Sequence, residues 1–431
     1  MARVAVLCIA TLLVSCLLPA QDPASQDPRE RRRAVRMLAR QGSEAIPKLA
    51  ELVSDADLEV RIEAVKALVE IGTQRSLDPL LKASRDNDPE IQIRAADGLV
   101  NFYLPGYAAT GLGATLRRAG NVVTTRFTET NDQVIDPFVE VRPEVGSALG
   151  RMARSGSSME ARANAARAAG ILRARAAVPD LLEAVRSKDT KVIYESLIAL
   201  QKIGDRSAGP RVSFLLRDLD ENVQVTAVET AGLLYNLEAL PDLKGVLART
   251  KSRRVRRAAL YSIAMLPDPS NRSLLAGYLR DRDAELRAAA AEGLGRLRTS
   301  SDLAELERGY QQESSNLARL SFAFALVMLG RLELTEFSPL QYLVNTLNSA
   351  ARANAAQALL IEAARDRDVA QALFQPLKKG SRDEKIGLAK VLAASGGREA
   401  EPLLETLTRD SDVSVASEAV KCLRSLRARL R

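Results

Sequence analysis

The sequence predicts an all-α fold in which about eleven helical hairpins stack into a right-handed superhelix, a solenoid closed by a C-terminal capping helix. Three observations predict it: a self-similar segment recurs about every 31 residues, each copy begins with a helix-capping residue, and an apolar stripe follows at helical spacing. Because one hairpin cannot bury its own apolar stripe, each unit depends on its neighbours and the repeats form a continuous stack.

The repeat is clearest when "DLEVRIEAVKALVEIG" (57–72) is compared with "DAELRAAAAEGLGRLR" (283–298) and "SNLARLSFAFALVMLG" (315–330). Each copy has a small or apolar anchor residue seven positions after its first residue. The anchors are Ala34, Ala64, Ala95, Ala165, Ser196, Ala227, Ala259, Ala290, Phe322, Ala355, Leu388 and Ala419. Successive anchors are 30 to 33 residues apart, except for one spacing of 70.

Local helix signals support this register. The residue four after each anchor is always apolar, so it shares one helical face with the anchor. The residue seven before each anchor is a favoured N-cap, able to accept a hydrogen bond from an unpaired backbone N–H: Asp27, Asp57, Asp88, Ser158, Asp189, Asp220, Ser252, Asp283, Ser315, Asn348, Ser381 and Asp412. Prolines open the second helices, at Pro47, Pro79, Pro179, Pro210, Pro241, Pro339 and Pro402. Glycines are predicted to end first helices in the left-handed conformation, at Gly42, Gly72, Gly204, Gly330 and Gly396.

Composition narrows the chemistry available to the chain. It has no histidine, which excludes Ser-His-Asp and Cys-His mechanisms and His-based metal sites, and we expect no cofactor. The formal net charge is +8, with basic clusters at 29–33 and 253–257. We interpret these clusters as solvated helix faces, because charge spread along a long stack makes no localised patch for nucleic acid.

The N-terminus predicts export. An early Arg and an apolar run from Val4 to Leu18 are typical of a bacterial signal peptide, residues 1–20, followed by a short linker over 21–26. The segment "LVSC" (13–16) also resembles a lipoprotein signal, in which residues 1–15 are removed and Cys16 carries the lipid. Both routes remain open, and both place the mature protein in the periplasm or tethered to the cell envelope.

One row of basic residues repeats with the fold. Three residues before the anchors lie Arg31, Arg61, Arg162, Arg256, Arg287, Arg319 and Arg352, with Lys385, Gln92 and Gln224 at equivalent positions. This arginine row could bind an acidic ligand. Since the position recurs with the repeat itself, we expect instead that each side chain bonds to a cap carboxylate or a carbonyl group of an adjacent repeat.

The solenoid is predicted over residues 27–430, interrupted once by an insertion at about 104–141 between the helices 89–103 and 143–154 of the third repeat. A short helix (112–119) and a β-hairpin formed by 121–128 and 133–141 are predicted within it. Long loops in compact folds are often functional, and this one is rich in aromatic residues. Its candidate partner-binding residues are Tyr103, Tyr107, Arg117, Arg118, Arg126 and Phe127.

The repeat resembles the HEAT family, in particular the short HEAT-like repeats of the phycobilin lyases. The shared pattern is D-x-x-V-R-x-x-A-x-x-A-L-x-x-[IL]-G followed by x-A-[VI]-P-x-L, matched here by 57–72 and by "AVPDLLEAV" (177–185). The resemblance implies an α-solenoid over nearly the whole mature chain. It implies little about function, because such repeats serve in adaptors, lyases, hydroxylases and glycosylases.

The sequence therefore favours a non-enzymatic interaction scaffold that binds a protein or peptide on the concave face, with the insertion adding specificity. An alternative is a solenoid that binds nucleic acid or an acidic polymer through its arginine rows, although nucleic acid is the less expected partner. A lyase-type enzyme is the least expected, because no catalytic constellation is recognisable. Membrane association is expected only through a lipid on Cys16.

Overall fold

The structure is a computed structural model that describes residues 23–107 and 133–431. Within these two ranges the regular structure is helical and no strand occurs. Long first helices alternate with short second helices, as the repeat predicts, so the chain is an all-α solenoid. Among the described residues, none of the helices combines the length and the apolar character needed to traverse a bilayer.

The first helices carry the anchors. They are α1 (Pro28–Ala39), α3 (Leu58–Ile71), α5 (Pro89–Tyr103), α7 (Met159–Ile171), α9 (Thr190–Ile203), α11 (Glu221–Leu233), α13 (Arg253–Met265), α15 (Ala284–Leu297), α17 (Asn316–Met328), α19 (Ala353–Ala363), α22 (Arg382–Ser395) and α24 (Val413–Leu430). The last of these is the predicted capping helix.

The second helices are mostly shorter, and many follow a 3₁₀ turn. They are α2 (Ile46–Leu52), α4 (Leu77–Ala83), α6 (Pro143–Ser155), α8 (Val178–Ala184), α10 (Ala208–Arg211), α12 (Leu240–Arg249), α14 (Arg272–Tyr278), α16 (Leu303–Gln312), α18 (Pro339–Thr346), α20 (Arg367–Ala372) with α21 (Phe374–Lys379), and α23 (Glu401–Leu407).

The predicted N-caps are confirmed with one exception. Ten of the twelve residues accept a hydrogen bond from a backbone N–H in the first turn of their helix, and Ser381 forms a reciprocal capping box with Glu384. Ser315 also occupies its N-cap position. The local signal is reliable because capping depends on neighbouring residues in sequence rather than on the stack.

The tenth repeat departs from the predicted register. Its first helix α19 begins at Ala353 with Arg352 at the N-cap, so the prediction that Asn348 caps this helix is wrong. The Asn348 side chain instead donates to Glu384 Oε1 at 2.8 Å and accepts from Ser381 Oγ at 2.5 Å, both in the next repeat. The buried stripe shifts by one residue, since Ala356 is fully buried and the predicted anchor Ala355 is only partly buried.

Four of the five glycines predicted to end first helices are in the left-handed region: Gly42, Gly72, Gly204 and Gly330. The prediction for Gly396 is wrong, because both Gly396 (φ −66°, ψ 156°) and Gly397 take extended backbone conformations and lead the chain out of α22. Three equivalent left-handed positions hold larger residues, Arg173, Tyr235 and Arg298.

Several consecutive first helices approach each other closely at a pair of small residues. In such a pair, the residue that lies five positions after one anchor contacts the residue that lies three positions after the anchor of the next repeat. Gly295 of α15 and Ala325 of α17 form one of these pairs. A Cβ atom added at Gly295 would lie 2.6 Å from Ala325 Cα, so only glycine allows this spacing. The glycines that occupy such contacts are Gly170, Gly232, Gly293 and Gly295.

The stack contains two apolar cores that meet at α17. One core runs from Val35 to Leu326 and the other from Leu320 to Leu426, so opposite sides of α17 belong to different cores. At the junction of α17 with α19 the small pair is lost, because Val327 occupies the position that Gly295 holds one repeat earlier. A cleft of about 340 Å³ lies here, lined in part by Val327, Met328 and Val369.

The predicted β-hairpin of the insertion is not formed by its second half. Residues 133–142 carry no strand, and the N–H of Val139 donates to Asp136 O at 3.0 Å across a turn. Pro137 lies in that turn and has no N–H to give to a strand partner. The predicted helix 112–119 and the first half of the hairpin, 121–128, lie outside the described residues.

The caps predict that acid destabilises the stack. Asp283 caps α15, and the guanidinium of Arg257 donates to its two carboxylate oxygens at 2.8 and 2.9 Å. These bonds hold the pKa of Asp283 well below its ordinary value, although burial opposes them. A carboxylate with a lowered folded-state pKa stabilises the fold above its unfolded pKa of about 4 and loses that contribution as the pH falls further.

We therefore expect the melting temperature to fall between about pH 5 and pH 2, and to fall less steeply in Asp283→Asn. Asparagine is an equally good N-cap, so this variant removes the titration and keeps the cap. Thermal unfolding followed by circular dichroism checks the difference, and equal slopes for the two proteins would contradict it.

Candidate functional site

The arginine row is used inside the stack. Arg31 donates from Nε and Nη2 to the two carboxylate oxygens of Asp55 at 2.7 and 2.8 Å, and from Nη1 to carbonyl oxygens that precede its own helix. Arg287 repeats this geometry with Glu313 at 2.7 and 2.8 Å. The contact is bidentate and partly buried, which suits the planar guanidinium group.

The acceptor in these pairs is not the cap residue that the sequence suggested. Asp55 lies two residues before the cap Asp57 and accepts its backbone N–H at 2.8 Å. Asp86, Glu313 and Asp410 occupy the same position in their repeats and receive Arg61, Arg287 and Lys385. These four members of the row fasten one repeat to the loop of the next, whereas Arg162, Arg256, Arg319 and Arg352 donate to groups that precede their own helices. In both cases the side chain has a structural role, as its recurrence with the repeat suggested.

The first helices form the more closely packed of the two helix rows. They contact their counterparts in neighbouring repeats along their length, whereas the second helices contact each other much less. A stack whose two rows are unequally close must curve toward the closer row. We define the inner face as the residues five and one before each anchor and two and six after it, which on α3 are Glu59, Glu63, Lys66 and Glu70.

A group of five ionisable residues lies at the middle of the inner face: Glu229, Tyr261, Glu292, Arg296 and Glu362. We call it the central cluster. Arg296 reaches from α15 across α17 and donates to the two oxygens of Glu362 at 2.7 and 2.8 Å and to Glu292 at 3.1 Å. Its guanidinium carbon lies 5.3 Å from the centre of the Phe324 ring. Ser321 Oγ donates to the other oxygen of Glu292 at 2.8 Å.

Burial governs the electrostatics of the central cluster. It raises the pKa of Glu292 despite the nearby Arg296, and it raises the pKa of Glu229. Burial, helped by the charge of Glu292, also raises the pKa of the Tyr261 hydroxyl to about 12. For Arg296, burial opposes the charged form, but the hydrogen bonds to Glu362 and the charge of Glu292 outweigh it and raise the pKa.

Sequence reasoning missed this cluster, although a signal was present. Glu229, Tyr261, Glu292 and Phe324 stand two residues after four successive anchors, a position that is only half-buried on most other first helices. Large or charged residues that occupy the same repeat position on successive first helices lie side by side on one surface of the stack. The pairing of Arg296 with Glu362 spans 66 residues, and the repeat pattern contains no signal for it.

The described end of the insertion borders the inner face. Lys202 Nζ donates to Gln133 O at 3.3 Å, and the N–H of Ile135 donates to Ile171 O at 3.0 Å. Ile171 and Lys202 both stand six residues after their anchors, at the C-terminal side of the inner face. Ile135 is buried there, at 4% exposure, so this segment is packed against the stack.

Of the candidate partner-binding residues, two lie in the described part of the chain. The hydroxyl of Tyr103 accepts the backbone N–H of Arg142 at 3.1 Å and so joins the two ends of the insertion. Tyr107 is half-buried against the larger core. Arg117, Arg118, Arg126 and Phe127 lie outside the described residues, as does Cys16, and their roles remain predictions.

Cys422 lies on the capping helix as a free, buried thiol, and burial raises its pKa to about 12. It packs as a small apolar residue, as its position in the apolar stripe suggests.

This architecture defines an α-solenoid of the helical-repeat class, a fold that commonly serves as a scaffold for protein interactions. More particularly, the family model for HEAT repeats matches residues 19–100, 210–292 and 247–327, so these segments carry HEAT repeats. The resemblance stated from the sequence is thereby confirmed. Comparison with curated proteins gives no match.

Several solved structures are similar to the chain at low identity. They include YibA of E. coli (17% identity, 70% of this chain and 98% of that chain, TM-score 0.39) and importin β (15%, 94% and 66%, TM-score 0.35). The complex of CpcE and CpcF of phycocyanin lyase from Nostoc sp. PCC7120 is another (17%, 69% and 92%, TM-score 0.31). Similarity at this level transfers no partner and no activity to this chain.

Proposed function

We propose that this protein is a non-enzymatic scaffold, exported to the bacterial cell envelope, which binds a protein or peptide on its inner face. The insertion at 104–141 adds specificity. The observation that carries the proposal is the contact of Gln133 and Ile135 with Lys202 and Ile171, because it brings the described end of the insertion to the border of the inner face.

The arginine row supports a protein partner over a polyanion. The guanidinium groups of Arg31, Arg61 and Arg287 are bonded to carboxylates of the next repeat, at distances that leave them little freedom to bind phosphate. A ligand that used these three arginines would have to break the contacts that fasten the repeats together. A partner that binds the exposed side chains of the inner face does not have to break these contacts.

Replacing residues 104–141 by a short Gly-Ser linker tests the role of the insertion. The ends are adjacent, since Tyr103 bonds to Arg142, so we expect unchanged helicity by circular dichroism together with loss of proteins that co-purify from an envelope extract. Leu219→Ser is the matched control, because Leu219 is fully exposed in the turn before α11 and lies off the inner face. Recovery of no protein by the intact chain, above a resin control, would count against the scaffold itself.

Export is tested separately by mass spectrometry of the protein isolated from cells. A mature chain that begins at a lipidated Cys16, or at Gln21, is the expected result. A chain that retains residues 1–15 would contradict the proposed location.

A further inference from the structure

Exposed apolar side chains cross the inner face on a diagonal. Leu233 of α11, Tyr261 of α13 and Leu317 of α17 are 40%, 38% and 45% exposed. Leu233 lies six residues after its anchor, Tyr261 two residues after its anchor, and Leu317 five residues before its anchor. The line through them therefore runs from the C-terminal end of α11 toward the N-terminal end of α17. We call these three residues the apolar diagonal.

The length of the apolar diagonal suits an extended chain. From α11 to α17 the line crosses three helix spacings of about 10 Å each. It also descends along the helix axes by 11 residues, at about 1.5 Å per residue, so its total length is roughly 34 Å. An extended segment of about ten residues covers that distance. Its side chains would alternate between the inner face and solvent, and would meet the helices one after another.

The charge beside the apolar diagonal is negative. The central cluster holds the carboxyl groups of Glu229, Glu292 and Glu362 against the single guanidinium of Arg296, in a chain whose formal net charge is +8. Within residues 23–107 and 133–431, no hydrogen bond reaches the carboxyl group of Glu229. The neighbouring cation, Arg254, donates to Asn222 at 3.0 Å. Glu229 is thus a partly buried carboxyl group that a partner cation could pair with.

We infer that the inner face between α11 and α17 binds an extended segment of another protein in which a Lys or Arg side chain is flanked by apolar ones. The inference rests on the proposed scaffold function and specifies its partner. The cation lies against the Tyr261 ring and pairs with Glu229, while the flanking apolar side chains pack on Leu233 and Leu317. Aromatic rings attract cations at such short range, and pairing with a partly desolvated carboxylate adds specificity.

Three synthetic peptides of twelve residues test the inference on the full-length protein. They share a Gly-Ser background and differ only at positions 1, 5 and 11, which lie on one side of an extended chain at about the spacing of the apolar diagonal. These positions carry Leu, Lys and Leu, or Leu, Glu and Leu, or Ser, Lys and Ser, and the peptides are named Leu-Lys-Leu, Leu-Glu-Leu and Ser-Lys-Ser after them. Fluorescence anisotropy should give the tightest binding for Leu-Lys-Leu, with at least fivefold weaker binding for each of the others. Tighter or equal binding of Leu-Glu-Leu would overturn the inference.

Variants locate the binding. Glu229→Gln and Tyr261→Ala should each weaken the Leu-Lys-Leu peptide about five- to tenfold, whereas Tyr261→Phe keeps the ring and should leave binding nearly unchanged. The matched controls are Glu238→Gln and Phe214→Ala, which alter exposed residues on the second-helix side and should have no effect. Equal losses in the controls would overturn the assignment to the inner face.

The inference and the proposed function fail in different ways. If a random peptide library yields binders that depend on the insertion but not on Glu229 or Tyr261, the scaffold stands and the partner class is wrong. If neither the library nor the three peptides bind, while the folded state is intact by circular dichroism, both the inference and its peptide-binding premise fall.

Discussion

Arg296→Ala should lower the free energy of unfolding by about 3–5 kcal/mol, among the largest effects expected of any single substitution in this chain. Its guanidinium is almost fully buried and satisfies Glu292 and Glu362 together. Removing it leaves two carboxyl groups beside each other in a low-dielectric environment with too few donors. Urea unfolding followed by circular dichroism measures the loss.

The same variant should separate the two cores. Arg296 extends from α15 over α17 to Glu362 on α19, so it connects the core that ends at Leu326 with the one that begins at Leu320. Hydrogen exchange should therefore accelerate in α19 and α22 more than in α7 and α9. Arg280→Ala is the control, because its pair with Glu305 is exposed and should contribute little. Uniform acceleration along the stack would contradict a connecting role.

Gly295→Val should destabilise the protein by about 3 kcal/mol, because the new side chain must force α15 and α17 apart. Even a single Cβ at this position lies 2.6 Å from Ala325 Cα, and backbone cannot move aside as a flexible side chain can. The altered spacing also strains Arg296 and Arg298, which continue past α17 to Glu362 and Asp366.

Gly277→Ala is the matched control for this prediction. Gly277 lies inside α14, and a Cβ added there meets no atom within 4 Å among the described residues. Alanine favours the helix over glycine, so stability should rise by about 0.5–1 kcal/mol. Thermal unfolding of both variants shows whether close helix contact, rather than a general intolerance of glycine replacement, explains the effect at Gly295. A loss of stability in Gly277→Ala would contradict the explanation by close contact.

Most of the fold could be predicted because its signals are local. Asp57 caps α3, and Gly72 ends that helix in the left-handed conformation, and both roles are set by residues within one turn. Repetition makes such signals stronger, since a weak pattern that recurs every 31 residues fixes the register of the whole stack. The boundary of α5 at Tyr103 and the start of α6 at Pro143 follow from the same pattern.

The wrong predictions fall where contacts between repeats override the local signal. Asn348 is a good N-cap by residue type, but its amide bonds to Ser381 and Glu384 of the next repeat and α19 begins later. Gly396 could adopt a left-handed conformation, yet with Gly397 after it the backbone leaves α22 extended. Neither outcome is readable from the segment alone.

The candidate site was harder to predict than the fold. The inner face depends on which row of helices lies closer together, and the central cluster depends on Arg296 reaching past its immediate neighbour. Both are properties of the stacked molecule. The sequence could indicate that Tyr261 and Glu292 occupy equivalent positions, but it could not show that no described residue donates a hydrogen bond to Glu229.

The junction between α17 and α19 has a mechanical consequence. Most neighbouring pairs of first helices are held by close apolar packing, whose strength depends weakly on salt. At this junction Val327 replaces the glycine that α15 has at the same repeat position, and the Arg296–Glu362 and Arg298–Asp366 pairs act as charged straps across it. Ionic strength screens the exposed Arg298–Asp366 strap more than the more buried Arg296–Glu362 strap, so salt is expected to loosen one side of this joint while the other side stays bonded.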